Sequence, residues 1–516
     1  MWRGAVMSNR NKALLLAFAS GLLSLGMEII WTRLVSFTHH TVPQSFAYVL
    51  FAYLLGIALG AHVGKLVCNR SEGNDSILWK VAGQSLIWSA AFDVIAMAIY
   101  AVAPLNPYGD AIYLLVAIAL SAGIKGVVFP IVHYLGSMRG DAALGASISN
   151  VYAANVAGAT IGPLFVGFVL MNLVTLQQAM AICALAALLV WGIVSRSATG
   201  TKHKWLAVVT AGVLLAGLAL ADKHLLIREL VANEHGREMK VGYINESRHG
   251  TIHTLEMTDG STIVYGENLY DGKINTSLVN DINGIFRVYA LAAMHPTPKK
   301  ILVIGLSGGS WVEVIRHFAH VESIDVVEIN PNYLDLVKHH AEVAPLLNDK
   351  RVKIHITDGR KYLKQHSKEK YDLIVMNTTW HWRAYSTLLL GQDFLMSLRN
   401  ALAPGGVVAF NTTGSMDVFH TAAQTFPFAG LYSNFVFASD HDVRADLRQN
   451  VARIVEVGRV VSAKQNADEA ALNWIAWRVA MTPIQLPSEV AFKRPPEVVT
   501  ERNMITEYKY GKGFLH

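Results

Sequence analysis

The sequence predicts an α-helical membrane bundle followed by a small antiparallel β region and a doubly wound, Rossmann-like α/β domain. Three patterns carry that prediction. The 516 residues are 52% hydrophobic and only 16% charged, with a mean hydropathy of +0.33, and the apolar excess lies within the first 221. Alternating runs broken by turn pairs fill 241–275. From residue 301 onward, short apolar strands alternate with stretches of helical period, the mark of a parallel sheet covered on both faces.

Apolar segments run at 13–35, 45–67, 81–103, 110–135, 149–172, 177–194 and 205–221. Most reach the roughly 20 residues that cross a bilayer, so about seven transmembrane helices are expected in a domain spanning 1–221. No small-residue cleavage site follows the first segment, which reads as a retained helix rather than a signal peptide. Arg3, Arg10 and Lys12 precede it, and Lys65, Arg70, Lys80, Arg139, Arg196, Lys202 and Lys204 fall in alternate loops. By the positive-inside rule the N-terminus is cytoplasmic. Seven crossings would put the C-terminal domain outside, whereas supply of a cytosolic cosubstrate favours the cytoplasm. The expected location is therefore the cell inner membrane, multi-pass, with the side of the soluble domain left open.

The net charge of +6 is mostly these flanking cations, and without a basic-aromatic patch no nucleic acid is expected as partner. The expected partners are a small-molecule substrate and the lipid bilayer, with self-association left open. Glu28, Asp93, Lys125 and His133 lie within spans, where charge is costly. The bland account is a helix–helix ion pair such as Asp93 with Lys125; the functional one is a ligand pathway. Gly158, Gly162 and Gly167 give a small-residue face for close helix packing. Cys68 and Cys183 sit in or beside spans, so no disulfide framework is expected.

Residues 222–276 read as a polar connector and a hairpin subdomain with turns at Asp259-Gly260 and Asp271-Gly272. The α/β domain is bounded at 277–445. It starts with a helical stretch at 277–294, takes strands at 301–305, 324–328, 352–356, 371–376 and 405–411, and continues over 412–440 with a helix and a strand at 434–438. The tail, 446–516, is helical and then irregular. The first of these strands feeds the glycine-rich loop Gly305-Leu306-Ser307-Gly308-Gly309-Ser310. Glu328 ends the next, about 20 residues on, where a carboxylate grips a ribose diol. The loop breaks the GxGxxG spacing, so a nucleoside without pyrophosphate fits better than a dinucleotide. Glu328, Asp358-Gly359 and Asn377 all fall at strand ends and should converge on that loop.

Met294-His295-Pro296-Thr297-Pro298-Lys299-Lys300 running into Ile301, then Val327-Glu328-Ile329-Asn330, Arg351 to Gly359, and Tyr371 to Val375 resemble the spermidine synthases. These polyamine aminopropyltransferases are built on the Class I methyltransferase fold, and the whole chain looks like their membrane-fused members. Tyr270 to Asn275 is similar to the family's LDGxxQ turn, with Asn275 in place of glutamine. The resemblance implies that Glu328 and Ile329 take the ribose and that Asp358-Gly359 takes the adenine. It implies that Gly305, Leu306, Ser307, Gly308 and Gly309, with Asn275, Asn377, Thr378 and Trp380, surround the rest of the cosubstrate. No metal is implied.

Four acids of the family pattern, in three segments, are replaced. GGGDGG has Gly308 at its aspartate, DSSDP becomes Asn377-Thr378-Thr379-Trp380-His381, and YHE becomes Asn283-Gly284-Ile285. An aminopropyltransferase must deprotonate an ammonium of pKa near 10, roughly, and hold a polycation, both of which call for carboxylates. Their loss makes whole S-adenosylmethionine the expected cosubstrate, its carboxylate met by Arg383 or by the N–H groups of the glycine-rich loop, with the decarboxylated form as alternative. The expected reaction is attack of that carboxylate on its own γ-carbon, closing homoserine lactone and releasing methylthioadenosine. Asn377 would orient the chain, and Trp380, Trp382 and Tyr385 would wall it. His381 is the candidate base, or else a structural histidine between tryptophans. The competing expectations are aminopropyl or methyl transfer to an external amine, and a non-catalytic S-adenosylmethionine sensor or transport-coupled module.

Overall fold

The computed structural model describes residues 8–103, 106–137, 144–195, 212, 217, 222–462 and 468–515. The chain divides into two compact units, Met1–Met239 with Glu246–Arg248 and Phe514–His516, and Lys240–Asn245 with His249–Gly513.

Among the described residues of the first unit, six helices are long and apolar enough to cross a membrane: Asn9–Thr38, Gln44–Arg70, Asp75–Val102, Pro107–Gly136, Gly145–Leu173 and Leu176–Val194. They coincide with the first six predicted segments. The seventh, 205–221, lies outside the described residues apart from 212 and 217. Phe46, Phe51, Leu59, Trp88 and Phe168 stand exposed on these helices.

Glycines set the helix spacing. A Cβ at Gly158 would overlap the Phe18 carbonyl, and one at Gly162 the Leu22 carbonyl, so the small-residue face does pack tightly. Pro163 lies inside the same span, and the helix relaxes into a π-helical turn at Phe165–Leu170 just beyond it.

The buried charges Asp93 and Lys125 form the ion pair that the sequence allowed. Lys125 Nζ lies 2.6 Å from Asp93 Oδ2 and 3.0 Å from Ser121 Oγ. Ser121 Oγ donates to Asp93 Oδ1 at 2.5 Å and accepts from Trp31 Nε1 at 3.2 Å. Three helices are thereby tied through one buried network. Cys68 and Cys183 are free thiols.

The second unit starts with an antiparallel sheet of β1 (Lys240–Ser247), β2 (Gly250–Glu256), β3 (Thr262–Gly266) and β4 (Leu269–Ile274), in that order. Here the structure corrects the sequence reading. Asp271-Gly272 is not a turn but lies inside β4, where Gly272 absorbs a φ of +120° beside a register shift in the β3–β4 pair. The chain reverses instead at Glu267-Asn268, whose φ values of +53° and +58° suit a two-residue hairpin. Residues 277–294 are helical only over Phe286–Met294. Asp281 stops the helix from starting earlier by accepting the amides of Asn283, Ile285 and Phe286.

The α/β sheet has seven strands: β5 (Lys300–Ile304), β6 (Ser323–Glu328), β7 (Val352–Ile356), β8 (Tyr371–Met376), β9 (Leu402–Asn411), β10 (Phe428–Tyr432) and β11 (Phe435–Ser439), in spatial order 10-11-9-8-5-6-7. The first five are parallel and the last two form an antiparallel hairpin edge. β10 is an element that the sequence reading left out. Ile301 and Val303 enter one core while Leu302 and Ile304 enter the other, which is why this strand reads as an unbroken apolar run. After β7 the chain returns across β5 to lay down β8, so β5 and β8 flank the topological switch point. The tail carries the helices Arg444–Gln449, Val451–Ser462 and Glu469–Met481 before it becomes irregular.

The Asp93–Lys125 pair yields a stability test. Asp93→Ala or Lys125→Ala should each cost about 3–5 kcal/mol by stranding a buried charge. Asp93→Leu combined with Lys125→Met should recover most of that loss in thermal melts of detergent-solubilised protein. Equal melting points for all four proteins would exclude a structural role for the pair.

Candidate functional site

The site grows out of the switch point. Gly305 N donates to Val327 O and Asn377 N to Ile304 O, at 2.8 and 2.9 Å, so β5, β6 and β8 end side by side. Between them the glycine-rich loop takes left-handed backbone at Gly305, Ser307 and Gly309, with φ of +91°, +48° and +82°. A side chain at Gly305 would collide with the Asn377 backbone, so glycine is required there. Ser307, which lacks that freedom, is held by its hydroxyl donating to the Asp271 carbonyl at 3.1 Å.

Glu328 is the fastener of the loop. Its Oε2 accepts the Leu306 amide at 2.8 Å and its Oε1 the Asn330 amide at 2.7 Å. Burial pushes its carboxyl up to about 7, against the lowering effect of these amides. Asp358 is exposed, and its carboxylate accepts the Lys361 amide at 2.9 Å, capping the helix Gly359–Gln365.

Two chambers open here. The smaller, of about 220 Å³, is lined by Gly305, Ser307, Glu328, Ile329, Asp358, Gly359, Asn377 and Arg383, together with Tyr333 and Leu389. The larger, of about 570 Å³, is lined by Leu306, Gly308, Gly309, Thr378 and Trp380, with Lys273, Asn283, Arg287, Asn411 and Asn434. Tyr270, Asp271, Ser307 and Asn377 line both and so form the passage between them.

Most of the predicted site residues thus converge. The exceptions are informative. Asn275 lines neither chamber; it is buried and bonds the Asn280 carbonyl and the Ile282 amide, shaping the turn after β4. His381 also lines neither. Its Nδ1 faces the Thr413 carbonyl and hydroxyl at 3.1 and 3.0 Å, and burial lowers its pKa. That geometry is the structural histidine foreseen as its bland alternative. Trp382 and Tyr385 line neither chamber, whereas Trp380 does, with its indole N–H on the Tyr270 carbonyl at 3.3 Å. Arg383 reaches Thr379 Oγ1 at 3.2 Å on the small-chamber side.

Sequence reasoning missed three participants. Asp271 is a carboxylate at the passage itself; burial raises its pKa, and Tyr333 donates to its Oδ2 at 2.7 Å. It stood inside the quoted LDGxxQ segment but was read only as a turn. Tyr333 carried no signal of its own. Arg287 is a lone cation in the apolar helix Phe286–Met294, a signal that was there to be seen.

A Cβ at Gly308 would touch Ile274 and Val264 at 3.3 and 3.4 Å. The absent acid is therefore replaced by an apolar wall.

Residues 289–425 match the family model for the spermine/spermidine synthase domain. The chain is 27% identical over 179 residues to the polyamine aminopropyltransferase of Caldicellulosiruptor saccharolyticus, covering 32% of this chain and 62% of that protein. It is 27% identical over 342 residues to polyamine aminopropyltransferase 2 of Streptomyces coelicolor, covering 62% of this chain and 59% of the relative. The latter match takes in more of the chain than the second compact unit holds. The chain thus spans about three fifths of the length of these two relatives. The spermidine synthase structure from Thermotoga maritima aligns with a TM-score of 0.35 at 19% identity, over 42% of this chain and 78% of that one. The α/β part of this chain, over residues 289–425, is thus similar to the spermine/spermidine synthase domain.

Proposed function

We propose that the second unit is an aminopropyltransferase that takes decarboxylated S-adenosylmethionine and releases methylthioadenosine. The observation that carries this reading is the pair of chambers joined at Asp271. The nucleoside occupies the smaller, with Glu328 accepting from the ribose hydroxyls and Asp358 from the adenine amino group. The propyl chain runs through the passage, and the larger chamber receives a separate acceptor amine. The amine lone pair attacks the methylene carbon next to the sulfonium, the C–S bond breaks, and its electron pair leaves on methylthioadenosine. Asp271, buried and raised in pKa, accepts the ammonium proton or holds the transferred amine. Asn377 orients the chain without titrating.

This reading replaces the lactone closure expected from the sequence. That expectation rested on a missing acid, and Asp271 supplies one at the passage. A 570 Å³ chamber beyond the passage is also more room than ring closure needs, and the relatives reported above are polyamine aminopropyltransferases. Six long apolar helices with exposed apolar side chains support a membrane location for the first unit.

Purified protein in detergent, given decarboxylated S-adenosylmethionine and a panel of amines, should release methylthioadenosine only when an acceptor is present. Release from S-adenosylmethionine alone, with homoserine lactone, would reinstate cyclisation and overturn the transferase. Glu328→Ala should cut kcat/KM about a hundredfold by deleting charge-assisted hydrogen bonds to the ribose. Asp271→Asn should lower kcat by about a hundredfold or more with little change in donor KM, whereas a parallel rise in KM would assign Asp271 to binding alone.

The pH response follows from Glu328. Ribose hydroxyls donate to the carboxylate, so donor affinity should climb as pH rises through about 7 and then level off. The folded protein holds this proton more tightly than the unfolded chain, whose carboxyl titrates near 4.5. Ligand-free stability should therefore fall as pH rises from 4.5 to about 7. Glu328→Gln should flatten both curves, read by calorimetric titration and thermal melts across that range.

A further inference from the structure

The larger chamber has the wrong charge for a polyamine. The charged side chains that line it are Asp271, Lys273 and Arg287, two cations against one acid, and that acid belongs to the passage. Arg287 is only 9% exposed and makes no ion pair among the described residues. Its Nε donates to the Gly284 carbonyl at 2.7 Å, one Nη to the Asn283 carbonyl at 2.8 Å, and the other to Asn434 Oδ1. All three acceptors are neutral. A guanidinium has five N–H donors, so two remain. The nearby acid, Asp281, is spent on three backbone amides. The guanidinium also stacks over the Phe435 ring, 4.4 Å from its centroid, which fixes its plane.

Around it the wall is built of carboxamides and hydroxyls. Asn434 Nδ2 donates to Asn411 Oδ1 at 3.0 Å, and the Tyr270 hydroxyl donates to Asn283 Oδ1 at 2.8 Å. Asp281 acts on this cation only through space, and a buried guanidinium with no directly bonded anion is costly unless something supplies one. A polyamine ammonium placed here would add a further positive charge beside Lys273 and Arg287.

We infer that the larger chamber binds the carboxylate end of an amino-acid-type acceptor, held by Arg287, while the acceptor's amine points to the passage at Asp271. The assignment rests on the transferase reading for the amine's role. The carboxylate is a spectator: the amine attacks the donor methylene, its proton leaves to Asp271, and methylthioadenosine departs as before. A planar guanidinium matches a carboxylate in a way that no ammonium can. A straight-chain ω-amino acid is the simplest molecule with both ends.

The test compares putrescine with β-alanine and γ-aminobutyrate on the full chain in detergent. Binding is measured by calorimetry with methylthioadenosine present, and turnover by methylthioadenosine release from the decarboxylated donor. The better of the two amino acids should bind at least about tenfold tighter than putrescine and give the faster release. Arg287→Gln should erase the preference, and Arg287→Lys should restore part of it. Because Arg287 also ties the loop at Asn283 to the β10–β11 turn, the wild-type comparison stands independently of any variant that folds poorly. Putrescine binding as tightly as either amino acid would overturn the carboxylate site, even with turnover intact. Amino-acid preference in binding without methylthioadenosine release from any acceptor would instead overturn the transferase reading and leave the carboxylate site standing.

Discussion

The architecture of the site hangs on one buried carboxylate. Glu328 ends β6 and takes the Leu306 amide from the loop after β5 and the Asn330 amide from its own turn. With those two bonds made, the loop must follow the path that Gly305, Ser307 and Gly309 allow, all at positive φ. The same path sets the Asn377 backbone against Gly305 and brings the end of β8 into line. Solvating such a carboxylate with fixed amides in place of water leaves it poised near neutrality. Strand order, loop conformation and ligand recognition are consequences of the same two hydrogen bonds.

The acids that disappear from the family pattern do not vanish evenly. Around the smaller chamber the carboxylates Glu328, Asp358 and Asp271 are all present. The replacements fall at Gly308 and Trp380 on the larger chamber, at Asn377 in the passage that lines both, and at the buried Ile285, which lines neither. Gly308 now backs onto Ile274 and Val264, and Asn283 is absorbed into hydrogen bonds with Tyr270 and the Lys273 carbonyl. Changes that fall on the larger chamber and the passage alter what can be accepted there while leaving Glu328 and Asp358 of the smaller chamber in place. Counting acids along the sequence suggested a lost reaction. Locating them in space supports a kept donor and a changed acceptor.

What was legible in the sequence follows the physics of each element. β5, buried on both faces, could hardly be misread, since Ile301 to Ile304 alternate between two cores. Glu328 and Asp358 were legible because strand ends next to a glycine-rich loop have few other uses. Asp271-Gly272 misled because the pair is a strong turn signal, and only the β3–β4 register shift reveals that it sits within a strand. His381 misled for a related reason: its partner, Thr413, is 32 residues away, and no local pattern announces such a contact. Arg287 was passed over because its helix packs into the core, where periodicity speaks only of apolar neighbours.

Buried charge separates the structural from the functional in this chain. Asp93 and Lys125 neutralise each other at 2.6 Å, and Ser121 with Trp31 completes their hydrogen bonding. Glu313 and Arg316 do the same at 2.6 and 2.7 Å in the α/β unit. Such pairs are closed systems with no capacity left for a ligand. Glu328 and Arg287 are buried as deeply but make no ion pair among the described residues, and each faces a chamber. The cost of leaving them without a directly bonded partner is borne by the ligand-free protein, and the proposed ligands would offset it with hydroxyls at the one and an anion at the other. On the proposed reading the two residues mark the two ends of the substrate path, with Asp271 between them in the passage that joins the chambers.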